Sequence, residues 1–426
     1  MNKPTDKQSI LRAFLLHIHP KQVDEQSIKF TRTFGLGGIN ALLFVILAFT
    51  GLLLRFAYIP TQTDAYDSIV SLQNNLAFGK LLRNIHHWSA MIMLITAFLH
   101  LLRVFYSQSI YGERRKNWFL GLGLIFFVLF SNFTGYLLPW DQLSYWAVTI
   151  MTNILEYIPL IGHSLANLFR GGEVVNENTL LNFYTLHTGL LPLLFIVFMA
   201  LHFWQVRKAK GVTVTNKEAK SFVPAWPNLV LKEIVIALSL ISLIILISVF
   251  FDAPLLEKAN PSISPNPSKA PWYFMGFQEM LMHIHPVFAA TVIPVLLLFF
   301  FFYLPYFKCP QLNIGIWFYS EKGKMFVVIS SVFSIVLILC LILISDYFSG
   351  FQNCLPGVPS IISTGFLPFS LYFIPLLSFL FFLRIVKKAD IIEVVISLFT
   401  VVITSYLVMM IVGICLRGKN MELILF

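Results

Sequence analysis

The chain has 426 residues, 58% of them hydrophobic and only 12% charged, with 43 phenylalanines. A soluble domain would carry about twice that share of charge, and apolar runs of about 20 residues, enough to cross a bilayer core, recur along the chain; a soluble enzyme is excluded and a polytopic, all-α transmembrane bundle is predicted. In that setting the formal net charge of +10 reflects Lys and Arg placed in loops, not affinity for nucleic acid.

Nine spans are predicted in chain order, at about 35–58, 80–106, 118–138, 179–206, 230–251, 287–307, 325–347, 366–386 and 391–415. The first dozen residues are polar and charged and lack the pattern of a cleavable signal peptide. Basic loops follow the second span (Arg114, Arg115, Lys116), the fourth (Arg207, Lys208, Lys210, Lys217, Lys220), the sixth (Lys308, Lys322, Lys324) and the eighth (Arg384, Lys387, Lys388). All fall on one side, which the positive-inside rule makes cytoplasmic and which also holds the N-terminus. Segments 59–79, 139–178, 252–286 and 348–365 then face outward. Arg417 and Lys419 would also lie outside, against the rule, so the ninth span fits the pattern least well.

The second span carries His86 and His100, 14 positions apart, and the fourth carries His187 and His202, 15 apart. At about 100° per helical residue, each pair lies within about 40–60° of one face and about 21 Å apart along the axis. Both helices run from outside to inside, so His86 shares the outer level with His187, and His100 the inner level with His202. Such helices can clamp two flat ligands at different depths, and bis-histidine haem ligation uses that geometry. A single intramembrane His is more often a packing or proton-relay residue; four at matching depths reverse that expectation. His87 points about 100° away from His86 and is not expected to ligate. Gly37 and Gly51 in the first span and Gly121 and Gly135 in the third are both 14 apart. Their missing side chains would let a macrocycle approach the backbone, or would serve close helix packing.

The stretches RNIHHWSAMIMLITAFLHLLRVF, GYLLPWDQLSYWAV and FYTLHTGLLPLLFIVFMALHFWQVRK resemble cytochrome b of the Rieske/cytochrome b quinol-oxidising complexes. The 15-residue spacing of the second His pair is similar to the chloroplast-type branch, in which a four-helix and a three-helix part are separate proteins. Here residues 1–228 resemble the first and 229–347 the second, fused in one chain, while 348–426 add two spans without a family role. The resemblance implies two non-covalent b-type haems and a quinol-oxidising site near the outer surface. It also implies a Rieske iron–sulfur protein and a c-type cytochrome as partners, an inner quinone site, and proton translocation. A homodimeric complex among the lipids of a bacterial inner membrane is the expected setting. The family's outer pocket maps onto Gly135–Tyr145, with Pro139 and Trp140, and onto Ala270–Phe274, with Pro271, Trp272 and Tyr273.

The chain departs from the family pattern at two places. The usual Pro-Glu-Trp-Tyr reads Ala270-Pro271-Trp272-Tyr273, so the carboxylate is missing, as in family members that use menaquinone. Quinol oxidation still needs a proton acceptor, and Glu279, His283 and His285 are the nearest candidates. The chloroplast-type branch also attaches a further haem through a cysteine just before the first span; here that position is Gly35, so no covalent haem is expected. Cys309, Cys340, Cys354 and Cys415 are scattered, with no ligand spacing. The resemblance implies that Arg83, Arg103 and Arg207 pair with haem propionates or quinone, against interfacial snorkelling or a topology signal. Asp141 is expected to cap the loop after Trp140, and 254–271 to be a connector. A di-haem anchor of a dehydrogenase or hydrogenase, or a transporter with proton-relaying histidines, are the competing classes; neither needs the two pocket segments.

Overall fold

The computed structural model describes residues 21–213, 221–310, 313–348 and 350–424; Lys217, Lys220, the first 20 residues and the side chain of Cys354 lie outside what it describes. Among the described residues, nine helices are long and apolar enough to cross a membrane. They are Leu36–Leu54, Gly79–Tyr106, Gly112–Leu137, Glu177–Lys208, Ala225–Phe250, Phe288–Tyr306, Glu321–Tyr347, Ile361–Ile385 and Ile391–Cys415. The expected spans recur, with ends displaced by a few residues. The third starts earlier because a 3₁₀ turn, Gly112–Arg114, leads into its helix. Among the described residues one pair of strands forms, Gln22–Asp24 antiparallel to Phe222–Pro224, joining the segments ahead of the first and fifth spans.

Prolines shape three of the spans. Pro192, Pro294 and Pro368 each follow a π-helical turn, over Leu186–Leu190, Phe288–Val292 and Ile361–Phe366. Proline has no N–H to donate to the carbonyl four residues back, and in an apolar medium a helix must re-satisfy that carbonyl locally. The wider turn does so, and π-turns of this kind favour functional positions. His187 lies in the first of them.

The first span packs along the second and the third along the fourth, with the fifth against the second. Their shared core holds Leu43, Met93, Leu94, Phe127, Leu191, Phe195 and Tyr273. The ninth span is the most enclosed of the nine, with 39% of its apolar window buried. It lies along the seventh span and along a short helix, Met275–His283, in the loop before the sixth. At its other end Phe399 stacks on Phe105 of the second span at 3.7 Å, and Thr400 shares a hydrogen bond of 2.9 Å with Tyr106. The helix that fitted the charge pattern least well is thus a central one.

Candidate functional site

The four histidines meet in the expected pairs. His86 and His187 have ring centroids 6.2 Å apart with planes at 74°, and His100 and His202 are 6.5 Å apart at 72°. An imidazole nitrogen bonds a transition metal at about 2 Å, so two rings with one metal between them sit a little over about 6 Å apart. Both pairs have that spacing. Among the described residues no three His, Cys, Asp or Glu gather to hold a bare ion; two axial donors suit a macrocycle that brings its own in-plane nitrogens. His87 instead turns edge-on to Trp88.

Hydrogen bonds fix the outer rings. Thr50 gives its own hydroxyl hydrogen to the Ile46 carbonyl at 2.7 Å, so at 2.9 Å it can only accept from Nδ1–H of His86. His187 Nδ1 lies 3.0 Å from the Ser131 carbonyl, an acceptor, and so also carries the hydrogen. Both tautomers leave Nε2 with its lone pair for a metal. The four glycines explain themselves from the same geometry. An added Cβ would lie 3.6 Å from His100 at Gly37, 3.2 Å from His86 at Gly51, 3.6 Å from His202 at Gly121 and 2.5 Å from His187 at Gly135. Each glycine backs one histidine ring, so the first span supports the second and the third supports the fourth. The residues present fit two haems held between these pairs.

The arginines divide. Arg83 is buried and donates to the Ala253 and Pro254 carbonyls at 2.8 and 2.6 Å, bolting the start of the connector to the second span. Two backbone carbonyls are thus its partners within the protein. Arg103 donates Nε to the Arg32 carbonyl at 2.9 Å. Arg207 ends the fourth span.

The two segments expected to wall the outer pocket both lie at the end of the third span. Trp140 is buried with φ +52°, and its carbonyl accepts from Ala259 N at 3.1 Å. Pro139 precedes it in this turn, whose Leu138 carbonyl accepts from Tyr58 at 2.7 Å. Asp141 caps the helix Gln142–Leu155 through Ser144 N at 2.9 Å and also accepts from Leu256 N at 3.1 Å. The connector therefore docks on this segment. Beyond it, Pro271 leads into a 3₁₀ turn, Trp272–Phe274. Trp272 donates to the Met91 sulfur at 3.2 Å, and Phe274 meets Phe133 edge-on at 5.8 Å. The Pro-Trp-Tyr wedge thus lies against the second and third spans, five residues beyond His86 on the second. Tyr273 is 5% exposed, its hydroxyl has no partner among the described residues, and burial raises its pKa.

Glu279 and His283 belong to a buried cluster that sequence reading did not foresee. Glu279 is fully buried, and its carboxylate receives Arg417 Nε at 3.1 and 3.0 Å and Nη2 at 2.5 Å. His283 Nε2 lies 3.0 Å from Glu279 Oε1, and its Nδ1 lies 2.9 Å from Ser345 Oγ. Asp346 is 3.0 Å from Arg417 Nη2. Burial would push the Glu279 carboxyl up, but hydrogen bonds from His283 and Arg417 outweigh it and hold it below the usual carboxylate range. Glu279 is therefore a clamped anion, not a loose surface base, and His285 is elsewhere, edge-on to Tyr157. The one sequence signal for Arg417 was its conflict with the positive-inside rule: a paired, buried cation does not count as a topology charge.

Fold and site define a polytopic helical membrane protein whose four-helix core presents two stacked histidine pairs. The family profile described as Cytochrome b/b6/petB matches residues 23–210. Cytochrome b6 of Acaryochloris marina is 43% identical over 173 residues, covering 41% of this chain and 80% of that protein. Cytochrome b6 of Synechococcus elongatus is 42% identical over the same length, again 41% and 80%. A chain of a solved structure titled "Hyperthermophilic respiratory Complex III" superposes with a TM-score of 0.68 at 24% identity, covering 88% of this chain and 96% of that one; it shares the fold. The chain belongs to the cytochrome b/b6 family. It is a multi-pass membrane protein of electron transport, in a family defined by non-covalent b-type haem.

Proposed function

We propose that this chain is the cytochrome b subunit of a respiratory quinol:cytochrome c oxidoreductase. The observation that carries this is the packing of the Pro271-Trp272-Tyr273 wedge on the second and third spans, through Met91 and Phe133, close to His86 and at the end where the Trp140 turn leaves the third span; a plain di-haem anchor does not need it. His86 and His187 hold the outer haem and His100 and His202 the inner one; when bound, the haems supply one-electron acceptors at two depths. Residues 1–228 form the di-haem part, 229–347 bring the outer loop, and 348–426 complete the bundle.

Quinol binds outside between the two segments, where the unpartnered Tyr273 hydroxyl can meet a quinol oxygen. Its oxidation releases two protons and two electrons, shared between a Rieske iron–sulfur partner and cytochrome b, with quinone reduced at an inner site near Arg207. The Rieske protein passes its electron to a c-type cytochrome. Without a carboxylate at position 271, proton acceptance falls to the Glu279–His283 unit, and menaquinol is the quinol that pattern suggests. Glu279 orients His283 and stabilises its charged form, as the carboxylate of a catalytic triad does. The complex is a homodimer in a bacterial inner membrane, with the N-terminus cytoplasmic and protons released outside.

Two measurements on the purified membrane complex test this. Reduced-minus-oxidised spectra should show two b-type haems, which a transporter would lack. A short-chain naphthoquinol should reduce cytochrome c only when the iron–sulfur partner is present; electron transfer without that requirement would favour the anchor.

A further inference from the structure

We infer that the ninth span is a wall of the outer quinol site, and that Arg417 at its end is a positioning residue which leaves His283 as the group there that changes charge during turnover. This rests on the assignment of 270–285 as the quinol loop.

Four contacts tie the ninth span to that loop. Tyr406 donates to the Tyr273 carbonyl at 2.5 Å. A Cβ on Gly276 would stand 2.9 Å from the Tyr406 carbonyl oxygen, and one on Gly413 would stand 2.9 Å from Met275 Cε and 3.2 Å from its carbonyl oxygen. Small residues on both helices thus bring the two backbones together. Arg417 then closes the end, donating to Glu279 and lying beside Asp346 of the seventh span.

The charge count of the cluster is informative. Glu279 and Asp346 contribute two negative charges and Arg417 one positive, so with His283 neutral a net charge of −1 stays in a largely buried place. An added proton on His283 cancels it. Both ring nitrogens have partners. Nε2 lies 3.0 Å from Glu279 Oε1, an acceptor, and 3.2 Å from Arg417 Nη2, a donor, while Nδ1 lies 2.9 Å from Ser345 Oγ, so His283 carrying both protons donates to Glu279 and to Ser345. His283 is ten residues along from Tyr273, about 15 Å at helical rise, so the cluster takes the proton after it leaves the quinol pocket. Asp346, with 29% of its side chain exposed, opens the way to the outer surface. Glu279 and Arg417 face His283, and Asp346 stands on the far side of Arg417, while Glu321, Lys322, Lys324 and Glu393 lie at the opposite ends of the seventh and ninth spans; Lys269 is held on the Ile414 carbonyl.

The test compares naphthoquinol:cytochrome c reductase rates against pH in membranes carrying the whole complex, with haem content measured alongside. The acid limb of the rate profile is the readout of the cluster's charge. Arg417→Gln removes a positive charge from the cluster, which favours an added proton there, and the limb should move to higher pH. Arg417→Lys keeps the charge and should leave the limb in place while lowering the rate, because the forked contact is lost. Asp346→Asn removes a partly exposed negative charge and should move the limb lower, which keeps the test open if Arg417→Gln fails to assemble. An unmoved limb in Asp346→Asn, or an equal shift in the Lys and Gln variants, overturns the inference. No naphthoquinol oxidation by the unaltered complex would instead overturn the assignment of the quinol site.

Discussion

Replacing the four core glycines one at a time with alanine should damage the haem sites unequally, in an order set by distance. At Gly135 the new Cβ would stand 2.5 Å from His187 Cε1, so the ring must retreat by about 0.9 Å to reach ordinary contact at 3.4 Å. Metal–ligand bonds keep their length to within about 0.2 Å, so His187 cannot retreat that far and still bind. The alternative is to part the third and fourth spans, an overpacking cost of about 1–3 kcal/mol set against a gain of about 1 kcal/mol from replacing helical Gly by Ala. Gly135→Ala should therefore lose the outer haem. Gly51→Ala, at 3.2 Å from His86, needs only a few tenths of an ångström and should keep its haem with a shifted potential. Gly37→Ala and Gly121→Ala, at 3.6 Å, should bind both haems normally. Difference spectra and redox titration of the four variants decide the order. Retention of both haems by Gly135→Ala, or equal losses at Gly121 and Gly135, would refute the packing of each glycine against its histidine.

His202→Leu should remove the inner haem alone and halve the b-haem absorbance, and His187→Leu the outer alone; two intact haems in either variant would contradict the pairing. Electron transfer from outer to inner level moves charge across the membrane potential, at about 2.3 kcal/mol per charge per 100 mV, so it should slow as membranes are energised; indifference to the potential would place both haems at one depth. Glu279→Gln should slow outer-site quinol oxidation between about 10- and 10,000-fold, the scale of losing a general base or its support, with haem content intact. Adding Pro271→Glu to that variant should restore part of the rate, and its failure to do so would move the quinol away from the wedge.

The pairing of the four histidines was legible because its signals are periodic and local. Fixed spacings of 14 and 15 on a helix translate directly into shared faces and depths, and the hydrophobic lengths placed both helices in the same direction. The matched spacing of Gly37, Gly51, Gly121 and Gly135 was visible too. Its cause was not: each glycine backs an imidazole on a neighbouring helix, a contact that depends on which helices pack side by side. The π-turn around His187 likewise follows from Pro192, whose missing N–H is plain in the sequence, though not how the helix would accommodate it.

The outer loop was legible only in part, because its chemistry is assembled across long separations. Nothing near Glu279 indicates that its carboxylate will be met by Arg417, 138 residues further on, or that Asp346 will balance the same guanidinium. The positive-inside rule treats each Lys or Arg as a hydrated charge that resists translocation, and by that count the ninth span was misfit. Arg417 escapes the rule because it is paired on both sides and almost wholly buried. Removing one partner of such a pair leaves an uncompensated charge inside the fold. A span that ends in a cation on the wrong side is therefore best searched for a buried carboxylate partner before its orientation is doubted; here that partner is Glu279 on the short helix Met275–His283, which ties the ninth span to the loop ahead of the sixth.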